Sequence, residues 1–155
     1  MNAVVVITAL LLGTALQARL PAIGWLGGLR LELLPALVAY GALTLRRSGA
    51  LALALAAGFL QDSLSAGPFG LTALVYVTVT ASVTGLHEAF DRELMPVQIG
   101  AGAALTAAGG FASALACGFP AEALWKIAAL AGLSLIITPV MFFVLEIARW
   151  RGRTE

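Results

Sequence analysis

Two long apolar runs meet at the stretch Gly58-Phe59-Leu60-Gln61-Asp62-Ser63-Leu64-Ser65-Ala66-Gly67-Pro68-Phe69-Gly70. Asp62 is the only acidic residue between Glu32 and Glu88, and an ionised carboxylate is costly inside hydrocarbon. Gly67 and Pro68 follow shortly afterwards, and this pair is typical of a turn or a helix break. The stretch therefore predicts two apolar helices that meet at a polar break.

The composition places most of the chain in lipid. Of its 155 residues, 61% are hydrophobic and only 11% are charged, and the mean hydropathy is +0.99. A soluble domain carries about 25% charged residues, so too few charges are present to cover a surface that faces water. The sequence therefore predicts one all-α domain over residues 1–155, folded as a polytopic membrane protein.

Side chains that carry chemistry are scarce in this sequence. One cysteine and one histidine cannot form an internal disulfide or a thiol metal cluster. No nucleotide-binding loop, zinc motif or nucleophile elbow occurs, and no basic patch with interleaved aromatic residues suggests nucleic acid. We therefore expect no catalytic residues, no cofactor, no metal site and no enzyme activity. An integral-membrane enzyme would need several acid, base or metal groups at one depth, and Asp62 stands alone.

Six apolar segments are predicted to be transmembrane helices, because each approaches the roughly 20 residues that cross a bilayer core. They cover residues 3–19, 31–45, 50–65, 69–86, 97–116 and 123–147. The second segment is short, so a partly re-entrant helix is the alternative there.

Positive charges predict the orientation, because they concentrate in cytoplasmic loops. With six spans and the N-terminus inside, the inner side would hold Arg46, Arg47, Arg92, Arg149, Arg151 and Arg153. The outer side would hold Arg19, Arg30 and Lys126. Both termini are therefore predicted to be cytoplasmic.

Small residues recur every fourth position on two predicted spans. They are Ala50, Ala54 and Gly58 on the third span, and Gly102, Thr106, Gly110, Ala114 and Gly118 on the fifth. Such stripes let helix backbones approach closely in lipid. The first interpretation is packing within the bundle, and the second is docking of a partner's single helix.

Asp62 has two interpretations as well. It lies about 15 residues beyond the Arg46-Arg47 turn, which is roughly 22 Å along a helix, so it is predicted in the outer half of the bilayer. Its carboxylate can cap backbone N–H groups that the break leaves exposed. Alternatively, it can be a polar contact in a pocket or at an interface, with the neighbouring Gln61 in the same cluster.

The order of the motifs resembles the MreD family of bacterial rod shape-determining proteins. The motifs that carry the resemblance are Leu16-Gln17, Leu34-Pro35-Ala36-Leu37-Val38-Ala39-Tyr40, Arg46-Arg47-Ser48-Gly49-Ala50, Gly58-Phe59-Leu60-Gln61-Asp62 and Gly67-Pro68-Phe69-Gly70-Leu71. One position departs from the family, in which a polar or acidic residue often follows the proline of the second span, whereas Ala36 stands here.

The resemblance implies a non-enzymatic scaffold of the cell-elongation machinery, or elongasome, in the bacterial inner membrane. Such a protein would bind the single-span protein MreC. Through MreC it would link cytoskeletal MreB to the regulation of peptidoglycan synthesis by RodA and its penicillin-binding transpeptidase. A homodimer within that membrane protein complex is left open.

The resemblance also implies a bundle similar to the S-components of energy-coupling-factor transporters. The alternative function is therefore a substrate-binding subunit of a vitamin or other small-molecule transporter. The candidate pocket or partner-contact residues are Gly58, Gln61, Asp62, Gly67, Pro68 and Gly70. Beyond this motif the predicted outer side offers few polar groups, which favours the scaffold.

Overall fold

The structure, a computed structural model, describes residues 3–20, 32–65, 68–85, 95–118 and 123–151. These ranges contain helices and no strand, which confirms the all-α prediction. The helices are α1 (Ala3–Arg19), α2 (Leu34–Thr44), α3 (Arg47–Leu64), α4 (Leu71–Gly85), α5 (Met95–Ala116) and α6 (Ala123–Arg151). Their number and order match the six predicted apolar segments.

Helix α2 lies at the centre of the bundle and contacts each of the other five helices. Every residue from Leu34 to Leu43 is buried, as expected for a helix that is apolar on all sides. Pro35 stands in its first turn, where the missing N–H removes no helical hydrogen bond. The 11 residues of α2 therefore form the core around which the longer helices pack.

The six membrane crossings are not confirmed by the helix lengths. Among the described residues, two segments are long and apolar enough to cross a bilayer, Pro96–Ala116 and Ala123–Ile147. Helices α1, α2 and α4 are apolar but shorter. Helix α2 is the extreme case, because 11 residues span roughly 16 Å at 1.5 Å per residue, about half of a bilayer core.

Two helix pairs pack closely through glycine. A Cβ atom on Gly58 of α3 would overlap the backbone of Ala73 in α4, and one on Gly102 of α5 would overlap Thr138 of α6. Ala50 and Ala54 are buried on the same side of α3 as Gly58. Apart from Gly118, which is exposed beyond the end of α5, the two stripes therefore pack helices within the bundle, which is the first of their two interpretations.

The outside of the bundle is strongly apolar. Ile136 and Phe143 on α6 are 66% and 69% exposed, and Leu12 on α1 is 65% exposed. Large apolar side chains exposed over several helices are unfavourable in water and mark a surface that meets lipid or protein. This distribution agrees with the low charge of the sequence.

Candidate functional site

The break between α3 and α4 is held by the carboxylate of Asp62. The N–H of Gly70 donates to Oδ2 at 2.8 Å, and that of Thr72 donates to Oδ1 at 3.2 Å. The N–H of Ala73 lies 3.5 Å from Oδ2. Since the first N–H groups of a helix have no partner within it, Asp62 caps α4 from the end of the preceding helix.

The local sequence explains why this cap comes from another helix. Gly70 precedes α4 and has φ +94°, a backbone conformation that glycine adopts without strain. Glycine has no side chain with which to cap the helix itself. Asp62 is only 4% exposed, so the cap replaces water as the partner of these N–H groups.

A second buried polar cluster joins α1, α2 and α3 through Gln17. The N–H groups of Leu33 and Leu34 donate to Gln17 Oε1 at 2.9 and 3.3 Å. Gln17 Nε2 donates to Gln61 Oε1 at 2.7 Å. The Gln17 amide therefore caps the buried start of α2 and ties it to the end of α3.

We expect Gln17→Leu to lower the free energy of unfolding by about 1–3 kcal/mol, because two buried N–H groups and the Gln61 amide lose a partner. The measurement is the midpoint of unfolding by sodium dodecyl sulfate in mixed micelles. In a double-mutant cycle, Gln61→Leu should cost less in the Gln17→Leu background than in the native chain. Strictly additive losses would show that the two amides do not stabilise each other.

Next to the two clusters lies a cavity of about 300 Å³. It is formed by the end of α3, the start of α4, the end of α5 and the start of α6, together with the residue Glu32 that precedes α2. Its polar lining includes Glu32, Gln61, Thr72, Tyr76 and Lys126. With Ser113 of α5, polar side chains from four helices and one connecting segment face one space at one end of the bundle.

Glu32 is the acidic residue among the described residues that line this cavity. It lies outside the helices, two residues before α2, and is partly buried. Loss of hydration raises the pKa of its carboxyl to about 7, because burial disfavours the charged form. Glu32 therefore exchanges its proton close to neutral pH.

The predicted site residues separate into different structural roles. Gly58 allows α3 to approach α4 at Ala73. Asp62 and Gly70 form the cap, and Pro68 is exposed, with its carbonyl 3.4 Å from the N–H of Leu71. Gly67 lies outside the described residues.

Gln61 does not join Asp62 in one cluster, although the two are neighbours in sequence. Its amide bonds to Gln17, whereas the Asp62 carboxylate bonds to the start of α4. Of the predicted pocket residues that the structure describes, Gln61 lines the cavity, while Asp62 and Pro68 are not part of its lining. Consecutive positions on a helix point in directions about 100° apart, which explains the separation.

Sequence reasoning missed Gln17, Glu32, Tyr76 and Lys126 as members of the site. A usable signal was present for Gln17 and Gln61. Each lies near the end of a predicted span that runs towards the outer side, so the two amides are expected at similar depth. Lys126 is also among the basic residues of the predicted outer side. What the sequence did not reveal is that these four side chains lie around one end of α2.

The match to a known protein family covers the part of the chain that contains both buried polar clusters. A family model described as rod shape-determining protein MreD matches residues 1–117. The chain belongs to the MreD family. The match includes α1 to α5, and with them the Asp62 cap and the Gln17 cluster. Membership implies a role in rod shape determination and makes this MreD-family chain a membrane protein.

No curated protein and no solved structure matches this MreD-family chain.

Proposed function

We propose that this protein is a non-enzymatic scaffold of the bacterial elongasome in the inner membrane, where it binds MreC. Through MreC it links cytoskeletal MreB to RodA and its penicillin-binding transpeptidase, and it does so with both termini in the cytoplasm. The observation that carries the proposal is the match of residues 1–117 to the MreD family.

The internal contacts support a mechanical role. Helix α2 contacts all five other helices, and its start is fixed by Gln17. The carboxylate of Asp62 fixes the start of α4. A scaffold needs helix ends that are fixed in position, because a partner bound near them must keep a constant height and angle relative to the membrane.

In this proposal the MreC helix does not bind to the small-residue stripes of α3 and α5, because Gly58 and Gly102 already face neighbouring helices. The partner helix would instead lie on the apolar exterior. A photo-crosslinking residue placed at Leu12 in α1, Leu74 in α4 or Phe143 in α6, all exposed, would identify which helix it contacts. Crosslinks should concentrate on one of these faces.

Affinity purification of the tagged chain from its native membranes in mild detergent tests the scaffold directly. We expect mass spectrometry to find MreC in stoichiometric amount, with RodA and its transpeptidase in smaller amount. A tagged membrane protein of similar abundance and unrelated function is the control. Absence of MreC enrichment over that control would contradict the proposal.

The second candidate function is that of an S-component-like subunit that binds a vitamin or other small molecule. The observation that favours it is the polar cavity of about 300 Å³ at one end of the bundle, a volume at the lower limit of ligand pockets. The same purification distinguishes this function, because a transporter subunit would bring an ATPase module and a coupling membrane subunit instead of MreC.

A further inference from the structure

The cavity between α3, α4, α5 and α6 is lined by two polar groups to which the described part of the chain offers no hydrogen bond. Tyr76 lines it and is 1% exposed, yet its hydroxyl makes no hydrogen bond to any residue that the structure describes. Glu32 likewise has no hydrogen bond or ion pair within the described ranges. Buried polar groups normally have partners, so the buried Tyr76 hydroxyl, with the partly buried Glu32 carboxyl beside it, is a candidate contact for a bound molecule.

These two groups lie near each other. Glu32 and Asp62 are close enough to act electrostatically on Tyr76, and the Asp62 carboxylate is occupied by the start of α4. The pair of Glu32 and Tyr76 therefore offers acceptor oxygens on one part of the cavity surface. A protonated amine satisfies such acceptors well, because hydrogen bonds to charged groups are the strong ones.

The positive group of the cavity comes from a different element. Lys126 stands in the first turn of α6 and also lines the space, and it is the one basic residue of the described lining. Thr72 and Ser113 add hydroxyl groups from α4 and α5. An anionic group placed beside Lys126 would meet a cation and hydroxyl donors.

We propose that the cavity binds a small zwitterion that carries a primary ammonium and an anionic group. The ammonium contacts Glu32 and Tyr76, and the anionic group contacts Lys126. The cavity of about 300 Å³ is near the lower limit of ligand pockets, which suits a small ligand. The site does not depend on the scaffold proposal, and it rests on the same cavity as the second candidate function.

Two sources supply this chemistry, namely the headgroup of phosphatidylethanolamine and soluble zwitterions such as phosphoethanolamine. The cavity lies at one end of the bundle, at the helix ends, where both a headgroup and a soluble molecule have access. The shared feature is the spacing of an ammonium and a phosphate on a short linker.

The test uses the full chain in nanodiscs of phosphatidylglycerol, which has no ammonium group. Isothermal titration calorimetry with phosphoethanolamine measures the soluble source. Native mass spectrometry of nanodiscs that also contain phosphatidylethanolamine measures retention of the lipid. Each measurement is made on the native chain, Glu32→Gln, Tyr76→Phe and the control Glu146→Gln, which removes the same charge about 30 Å along α6 from Lys126.

We expect Glu32→Gln to weaken binding at least about tenfold, because the ammonium loses its negatively charged partner, and Tyr76→Phe to weaken it by about threefold to tenfold, because the ammonium loses one uncharged acceptor. Glu146→Gln should bind like the native chain. Equal unfolding midpoints show which variants retain the fold, and if Glu32→Gln does not fold, Tyr76→Phe carries the test because it removes a single hydroxyl.

Binding should also depend on pH through Glu32. Its folded-state pKa is about 7, so the carboxylate fraction falls from about nine-tenths at pH 8 to about one-tenth at pH 6, and affinity for an ammonium should fall about tenfold. Within the described residues, the other titratable groups beside it are Tyr76, Lys126 and Cys117 in the lining and Asp62 next to Tyr76. The Glu32→Gln variant reports the pH dependence of these groups and of the ligand.

The outcomes separate clearly. Calorimetric binding that requires Glu32 supports a soluble zwitterion, and lipid retention that requires Glu32 supports a membrane headgroup. If neither probe binds, or if Glu32→Gln and Tyr76→Phe bind like the native chain, the proposal is overturned.

Discussion

Substitution of Asp62 by alanine is expected to lower the free energy of unfolding by about 2–4 kcal/mol, because buried N–H groups at the start of α4 lose their acceptor. The groups affected are those of Gly70, Thr72 and Ala73. Asp62→Asn keeps one carbonyl oxygen and should lose about half as much. Unfolding by sodium dodecyl sulfate in mixed micelles measures both losses.

The matched control for Asp62 is its neighbour Ser63. Ser63 is exposed and its hydroxyl donates to Phe59 O at 2.8 Å within α3, so Ser63→Ala should change stability by no more than about 0.5 kcal/mol. In cells, Asp62→Ala should still insert but reach a lower level or retain less MreC. Equal abundance, equal MreC recovery and an equal unfolding midpoint would show that the cap does not stabilise the fold.

Substitution of Gly58 by alanine is expected to cost about 3 kcal/mol, at the upper end of the range for overpacking. The new Cβ would overlap the Cα, N and Cβ of Ala73, and backbone atoms cannot move aside as a flexible side chain can. Helices α3 and α4 must then separate. The effect extends to Asp62, one turn further along α3, because Ala73 also approaches its carboxylate.

The control for Gly58→Ala is the same change at Gly132. Gly132 is exposed in α6 and a Cβ there would meet no atom within 4 Å. Alanine is the better helix former by about 0.8–1 kcal/mol, so Gly132→Ala should be neutral or stabilising. The two variants should therefore shift the unfolding midpoint in opposite directions, and a small effect at Gly58 would show that α3 and α4 separate easily.

These two substitutions also bear on the proposed scaffold. Both act on the α3–α4 pair without touching the apolar exterior where a partner helix would bind. If MreC recovery falls in proportion to stability, packing of α3 against α4 affects MreC binding only by stabilising the fold. If recovery falls much further, the break itself contributes to the contact with MreC.

Much of the architecture was predictable because it depends on local sequence. The apolar runs gave six helices in the correct order, and Gly67-Pro68 marked the break after Asp62. The interpretation of Asp62 as a helix cap was also available, since it needs only an acidic residue beside a helix break. The start of α2 was predicted at residue 31, whereas the helix begins at Leu34.

The length of α2 shows the limit of this reasoning. A run of apolar residues is equally compatible with a membrane crossing and with a short helix buried by its neighbours. Hydropathy cannot distinguish the two environments, since lipid and protein interior are similarly apolar. Only the contacts of α2 with all five other helices showed that protein surrounds it.

The sequence by itself determined the membrane character, the helical class and the polar break, because composition, hydropathy and the backbone preferences of glycine and proline act over short distances. The tertiary structure decided the pairing of Gln17 with Gln61 and the cavity shared by Glu32, Tyr76 and Lys126. These residues are far apart in the chain. Which of them meet depends on how the helices pack, and the pattern within any one helix does not specify its neighbours.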